Sequence, residues 1–597
     1  MYTADDVFVS STAMPTSSIA GAVKTFSVLD YFVFCTLMLT SGAIGVYFAF
    51  FAKQKQNTTK EYLMGGKNMG LFPITMSLVA SYISGVSLLG VPAEIYTFGT
   101  QYGVIIIAEV MVCVLSAYAF MPVFYKLQLF SSFEYLQMRY DNSVRLFLSV
   151  LYCLMTILYT PLIIYIPSLA FSQVSGINLY VVAVATCAIC IFYTSLGGLK
   201  AVVWSDTVQS FAMILGVIAV TVLGTMDVGG VGVVLERATT SNRIEIFNLD
   251  PNPLVRHTFW TVVIGNFFMW LSHIAANQAI LQRCLALPTI GKARSALISL
   301  SIGISTFVVF SVYSGLVIYA KYHDCDPVYT KAIRKVDQIL PFTVMDLSNS
   351  VPGFPGIFIA GVFSAALSSM STMLNSMSGV ILQDFIRPCW GKRPLSEMAA
   401  STIMKVIVVL IGSLCVVMVL IVDRLGAIIQ VSRTLSGITA GASLGIFVLG
   451  MTVPWLNAKG VLWGGISSIF VAGWVALGSQ TALRSGTLRF ENKPLSVDGC
   501  LYDFPSTNET LNFTPVEDAF WVFRISYLYL TVIGFTTLLV VAFFVTLATG
   551  PNDISKMNPD LFSPLVQGLF PKKQLPEDGN AEIKLLHKKA EAGETME

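Results

Sequence analysis

Apolar residues along the chain gather in long uncharged runs, and most polar residues lie in the gaps between them. A helix that crosses a bilayer needs about 20 predominantly apolar residues. Runs of that length predict thirteen spans, over 28–52, 71–96, 101–125, 146–172, 178–196, 202–226, 258–282, 295–320, 354–383, 402–422, 425–452, 460–480 and 525–548. The gaps carry an orientation signal. Lys53, Lys55, Lys60 and Lys67 follow the first span, Lys126, Arg139 and Arg145 the third, Arg283, Lys292 and Arg294 the seventh, and Arg387, Lys392 and Arg393 the ninth. The loops 97–100 and 173–177 carry no Lys or Arg. Short basic loops stay cytoplasmic, which predicts an extracellular N-terminus and a cytoplasmic C-terminus.

Composition agrees. Of 597 residues, 55% are hydrophobic and 12% charged, against about 25% charged in soluble domains. With 36 Lys+Arg and 34 Asp+Glu, the chain lacks the basic surplus of a nucleic-acid binder, and it is too apolar to be disordered. The fold class expected is an all-α polytopic membrane protein in the plasma membrane, with the bilayer as its surroundings. It divides into an N-terminal tail over 1–27, a transmembrane domain over 28–548 and a mobile cytoplasmic tail over 549–597. Residues 1–27 lack the basic and then apolar pattern of a cleaved leader, so the first span is expected to direct insertion.

Segment 481–520 falls outside on this topology. It holds two glycosylation sequons, at Asn508 and Asn512. A third sequon, at Asn57, falls inside and should be silent. Of ten cysteines, only Cys325 and Cys500 lie in long outer loops. A disulfide between them suits an oxidising compartment, and two unpaired thiols are the alternative. Four histidines offer neither metal spacing nor a nucleophile–base pair, so neither an enzyme nor a cofactor is expected.

Two spans carry unusual chemistry. The second reads Met76-Ser-Leu-Val-Ala-Ser-Tyr-Ile-Ser-Gly-Val-Ser-Leu-Leu-Gly90, and the ninth places six hydroxyl or amide side chains between Phe363 and Asn375. Backbone at membrane depth unwinds only where it lines a cavity. Small-residue helix packing is the plain reading. An ion site of carbonyls and hydroxyls is the sharper one. At about 1.5 Å per residue, Ala80 and Ile83 lie roughly 13–18 Å from the inner edge of span 2. Ser368 and Ser369 lie about 10 Å from the inner edge of span 9, in a core about 30 Å thick. The two segments can therefore meet. Neutral hard oxygens suit Na+, and transporters hold coupling ions at unwound carbonyls.

The run Tyr193-Thr-Ser-Leu-Gly-Gly-Leu-Lys-Ala-Val-Val-Trp-Ser-Asp206 resembles the signature of the sodium/solute symporter family, as does Asn277-Gln-Ala-Ile-Leu-Gln-Arg-Cys-Leu285. Gly90-Val-Pro-Ala-Glu94, Phe120-Met-Pro-Val-Phe-Tyr125, Phe133–Arg139 and Leu249–Trp260 resemble the subgroup of sodium/iodide, sodium-coupled monocarboxylate and sodium-dependent multivitamin transporters. The similarity covers about residues 28–550. It implies the leucine-transporter fold, with spans 2–6 and 7–11 as inverted five-helix repeats. It also implies a sodium site of the Ala80, Ile83 and Ala365 carbonyls and the Ser368 and Ser369 hydroxyls, the place reached by depth. Asp206 matches a family acid near the inner mouth of the sodium path; a helix-start carboxylate favoured by the dipole is the alternative.

Two charges then stand out at depth, Glu109 in span 3 and Arg433 in span 11, each roughly 12 Å in by helix rise. Burying such a group costs at least about 2.5–3.5 kcal/mol. Three readings compete. Arg433 could pair with a solute carboxylate while Glu109 orients it. Glu109 could contact a polyhydroxylated or cationic solute, with Arg433 as its partner. Or the two could form a structural ion pair. Tyr82, Ser87, Tyr159, Asn266 and Trp270 are further candidates for the pocket wall, with His273 deeper on the face of Trp270. The expected function is sodium-coupled import of a small organic solute, a monocarboxylate or vitamin-type acid. A sugar, polyol or inorganic-anion transporter, or a sensor of the same fold, are the rivals. A channel would need a repeated filter motif, and none is present in the sequence.

Overall fold

The computed structural model describes residues 26–52, 58–333, 336–349, 351–390, 395–425, 428–500, 504 and 516–570. The side chains of 86, 173–174 and 421–436 are outside that description. Asn508 and Asn512 also lie outside the described residues, as do 1–25 and 571–597 of the two tails.

The long helices are α1 Val28–Val46, α2 Leu71–Tyr82, α3 Gly85–Phe98, α4 Ile105–Leu115, α5 Asn142–Ser175, α6 Leu179–Val228, α7 Phe259–Ala275, α8 Gln278–Leu285, α9 Ile290–Lys321, α10 Phe354–Val380, α11 Glu397–Leu425, α12 Ile428–Thr452, α13 Ala458–Ser485 and α14 Leu530–Thr549. Polar side chains start several of them. Ser27 and Asp30 form a capping box on α1, Thr258 and Thr261 one on α7, and Asp141, Asn178, Thr289 and Asn457 cap α5, α6, α9 and α13. These caps supply acceptors to first-turn N–H groups that no helix bond reaches. One short antiparallel pair, Leu488–Arg489 with Val516–Glu517, is the sheet among the described residues.

Nine helices among the described residues are long and apolar enough to cross a membrane, and two pairs act as bent spans: α2 with α3 at 52° and α7 with α8 at 51°. The first bend is where the sequence crowds small residues. The second was not expected. It falls at Ala276 and Asn277, where Asn277 restarts the helix by accepting from the Ala279 N–H.

α6 is 50 residues long but reverses at Gly198, whose backbone is left-handed (φ 53°). Tyr193 packs on Gly45 of α1, and Gln209 bonds Ser41 of the same helix at 2.8 Å. Sixteen residues of straight helix would separate Tyr193 from Gln209 by about 24 Å, whereas Ser41 and Gly45 are about 6 Å apart. Only a reversal reconciles the two contacts. A side chain at Gly197 would also run into Ala201.

α10 is the axis of the molecule, packed by α1, α5 and α6 and almost wholly buried. Its Gly361 and Gly356 let the backbones of Ala212 and Asp30 come close. That burial explains why its hydroxyls never meet lipid. α10 stays helical through Ser368 and Ser369, so the unwound backbone belongs to α2/α3 alone at this level.

The expected loose tail over 549–597 is corrected in part. Residues 551–570 fold back onto the domain. Phe562 is fully buried against Phe570, the Ser563 N–H bonds the Met451 carbonyl at 2.9 Å, and Tyr135 donates to the Leu561 carbonyl at 3.1 Å. Leu561, Phe562 and Phe570 give this stretch enough apolar surface to dock.

Candidate cation and solute site

The bend between α2 and α3 frees two carbonyls. In an unbroken helix the Ser84 N–H would bond the Ala80 carbonyl and the Ser87 N–H the Ile83 carbonyl. Here Ser84 N–H goes to the Tyr82 carbonyl at 3.1 Å, and Ser87 N–H goes to Ser84 Oγ at 3.2 Å. Ala80 and Ile83 are buried, and so are Ala365, Ser368 and Ser369 on the facing α10. Ser81 Oγ stands 3.2 Å from Ser368 Oγ, which ties the bend to α10. Ser369 Oγ is buried without a partner. Buried orphan acceptors are costly unless something fills them. Neutral oxygens around such a gap fit a monovalent cation. Ala365 differs from Ala80 and Ile83, because its carbonyl lies inside a continuous helix and would contribute a second lone pair. Ser87 Oγ bonds the Ser84 carbonyl at 2.9 Å, so it closes the bend rather than facing a solute.

Arg283 corrects the sequence analysis. It is not a loop charge but lies buried in the centre of the protein, 1% exposed. Its guanidinium pairs with Asp206 Oδ2 at 2.8 Å and donates to Ser81 Oγ at 2.6 Å, to the Ser77 carbonyl at 3.3 Å and to Thr372 Oγ1. Ser77 donates to the same Asp206 oxygen at 2.6 Å, and Asp206 Oδ1 has no hydrogen-bond partner. Asp206 is therefore half of a buried ion pair between α6 and α8, not a helix-start carboxylate. The pair shares Ser81 with the cation site, so α2, α6, α8 and α10 meet in one polar knot. Glu109 and Arg433 are consequently not the sole charges at depth.

The other residues of the α8 motif act as anchors. Gln278 accepts from the Ser132 N–H at 2.6 Å and donates to the Phe130 carbonyl at 2.7 Å, and Gln282 donates to the Leu63 carbonyl at 2.6 Å. The α6 motif does likewise. Tyr193 donates to the Leu367 carbonyl at 3.1 Å, and Lys200 pairs with Glu61 at 2.9 Å.

On the other side of the bend, Tyr82 stacks on Trp270 with ring centres 4.4 Å apart. Tyr82 Oη, Trp270 Nε1, Asn266 Oδ1 and Glu109 Oε2 are all buried without hydrogen-bond partners. Tyr159 is partly buried against the core. Arg433 sits on α12, but its side chain lies outside the described residues, so no pairing with Glu109 is drawn. His273 bonds the Met269 carbonyl at 2.8 Å beside Trp270. At the end of α3 away from Ala80, Glu94 pairs with Arg256 at 2.7 Å, and His257 lies 3.3 Å from Glu94. Burial and the adjacent Arg256 guanidinium hold the His257 imidazole well below its usual range, so it stays neutral and that contact is polar, not ionic. Cys325 and Cys500 are joined by a disulfide, with Cα atoms 4.9 Å apart.

Two bent helices packed by a buried helix rich in hydroxyls are an arrangement in which transporters hold coupling ions at helix breaks. The sodium:solute symporter family model matches residues 62–468, and the chain belongs to that family, which is one of transporters and not of enzymes. The chain is 38% identical over 551 residues to human sodium-coupled monocarboxylate transporter 2, covering 91% of this chain and 87% of that protein. It is 37% identical to human sodium-coupled monocarboxylate transporter 1, with 88% of each chain covered. To the human sodium/iodide cotransporter it is 35% identical, covering 91% and 86%. Among solved structures, a Na+-coupled sialic acid symporter in a substrate-bound outward-open state aligns with TM-score 0.73 at 22% identity, over 88% of this chain and 99% of that one. That likeness shows a shared fold.

Proposed function

We propose that the protein is a plasma-membrane symporter that imports a small organic acid, a monocarboxylate or vitamin-type acid, with sodium by alternating access. The observation that carries this is the pair of carbonyls freed at Ala80 and Ile83, opposite the hydroxyls of Ser368 and Ser369. Sodium held by these groups and by Ala365 bridges α2/α3 to α10 and favours the outward-open state. Asp206 lines the path by which it leaves. The solute stacks by Tyr82 and Trp270, with Glu109, Tyr159 and Arg433 completing the wall. The names of the monocarboxylate relatives support the acid class. The membrane potential adds roughly 2.3 kcal/mol per charge per 100 mV to the sodium gradient.

The architecture proposed is thirteen spans, the two arms of α6 counting separately and α12 as one. Each half opens on a bent span, the first with α2/α3 and the second with α7/α8, which supports the inverted repeat. The N-terminal tail over 1–27 is extracellular, 28–548 forms the transporter, and 549–597 is cytoplasmic. Asn508 and Asn512 are glycosylated on the outside.

The test is sodium-dependent uptake of lactate, nicotinate, pantothenate, biotin, iodide, inositol and glucose at fixed pH. Lactate or nicotinate should lead, and Ser368→Ala with Ser369→Ala should abolish the sodium-dependent part while surface expression holds. Unchanged sodium affinity in that double variant removes the site assignment. Inositol or glucose leading the panel removes the acid class.

A further inference from the structure

Glu109 is the group that the sodium site and the Arg283–Asp206 pair leave unexplained. It is 1% exposed, and its Oε2 has no hydrogen-bond partner. α4 packs it between α7 and α9. The titratable groups within electrostatic reach are Tyr82 from α2, Tyr102 just before α4 and Cys113 one turn on, and none of these carries positive charge. Beyond Tyr102 stand Glu94 and Arg256, already paired with each other. On α7 the nearest titratable group along the face of Asn266 and Trp270 is His273, bonded to Met269. On α9, Arg294 is bonded to the Ala117 carbonyl at the far end of the contact. Among the described residues no cation touches Glu109.

A buried carboxylate oxygen left without a partner is costly to keep charged. A second carboxylate, brought in by the solute beside Tyr82, sharpens the conflict, because two adjacent carboxylates cannot both stay ionised at low cost. We propose that Glu109 is a proton-binding site that makes acid uptake proton-linked. The step balances simply. Glu109 takes one proton from the outer water, its O–H donates to an oxygen of the solute carboxylate, and the proton leaves to the inner water when the site opens inward and water reaches the carboxylate. One proton then moves with each carboxylate, beside sodium. The inference rests on the organic-acid reading above and specifies its solute site.

The experiment has two arms on the full-length chain. The first is infrared difference spectroscopy of purified protein in lipid, with no solute present. A carbonyl band of a protonated carboxylic acid should appear in the native protein and vanish in Glu109→Gln. A band of equal size in both overturns the proposal, as does its absence from the native protein, which is the result expected if Arg433 holds Glu109 ionised. The second arm measures sodium-dependent uptake of the best acid from the panel against external pH. Apparent affinity should fall by up to about tenfold per pH unit once Glu109 deprotonates. Glu109→Gln should lose that slope at whatever rate survives, and Glu109→Asp should shift it. A flat native profile with robust uptake overturns the proton link and leaves the symporter standing. Absence of any acid uptake removes the organic-acid reading, while the infrared band still decides whether Glu109 carries a proton. A slope in Glu109→Gln equal to the native one overturns the assignment to this residue.

Discussion

The two bent spans turn by nearly the same angle and do opposite things. At α2/α3 the bend leaves acceptors free. Ala80 and Ile83 lose their donors to a neighbouring carbonyl and a serine hydroxyl, and Ser81 beside them reaches Ser368 on α10. At α7/α8 polar side chains grip the rest of the molecule. Asn277 caps the new helix, Gln278 and Gln282 clamp other segments, and Arg283 reaches Asp206. A bend alone therefore does not make an ion site. The side chains that follow it decide whether it binds a ligand or anchors a lever.

Four measurements would break or sharpen that contrast. The largest effect belongs to Arg283→Gln, which strands Asp206 in the interior. Losing one partner of a buried pair costs about 3–5 kcal/mol, seen as lower thermal stability and less protein at the surface. Adding Asp206→Asn should recover part of the loss, and a strictly additive double variant would show that the two do not couple. Gln278→Ala comes next. It leaves the Ser132 N–H and Phe130 carbonyl buried without partners, at about 1–3 kcal/mol, and should speed hydrogen exchange around 130–132. Ser369→Ala removes one neutral ligand of the proposed site, so the sodium concentration for half-maximal uptake should rise about tenfold, or about 1.4 kcal/mol, with stability unchanged. The smallest effect lies at the Glu94 end of α3. His257 has a depressed folded pKa, so native protein binds fewer protons than unfolded protein as pH falls below about 6.5. Its stabilising contribution is intact above that pH and is lost below it, at up to about 1.4 kcal/mol per unit. His257→Gln should flatten this part of the pH–stability curve.

The nine long apolar helices among the described residues were legible because bilayer thickness imposes a run length that a local window detects. The bend of α2 was legible too, since serines and glycine there cannot serve a lipid face. Arg283 was not. Hydropathy ends a span at the first polar cluster, and Asn277, Gln282 and Arg283 form one, so the residue was assigned to a loop. The overlooked signal was Asn277, a good helix N-cap followed by Ile280, Leu281 and Cys284 at helical spacing, which marks a new helix. The Asp206–Arg283 partnership joins residues 77 positions apart in the sequence, a distance no local pattern spans. The docking of 551–570 was hidden in the same way, because scattered apolar side chains such as Leu561, Phe562 and Phe570 among prolines and charges read as solvated chain.

The Cys325–Cys500 disulfide has a consequence for the covalent topology of the chain. It joins residues 175 positions apart and closes a ring that includes α10, α11, α12 and α13. A protease that cuts once anywhere between the two cysteines therefore opens the ring without releasing a fragment. The nicked protein should run as one species on a non-reducing gel and as two after reduction. The helices that carry Ser368, Ser369 and Arg433 stay tethered to the rest of the chain by that single bond.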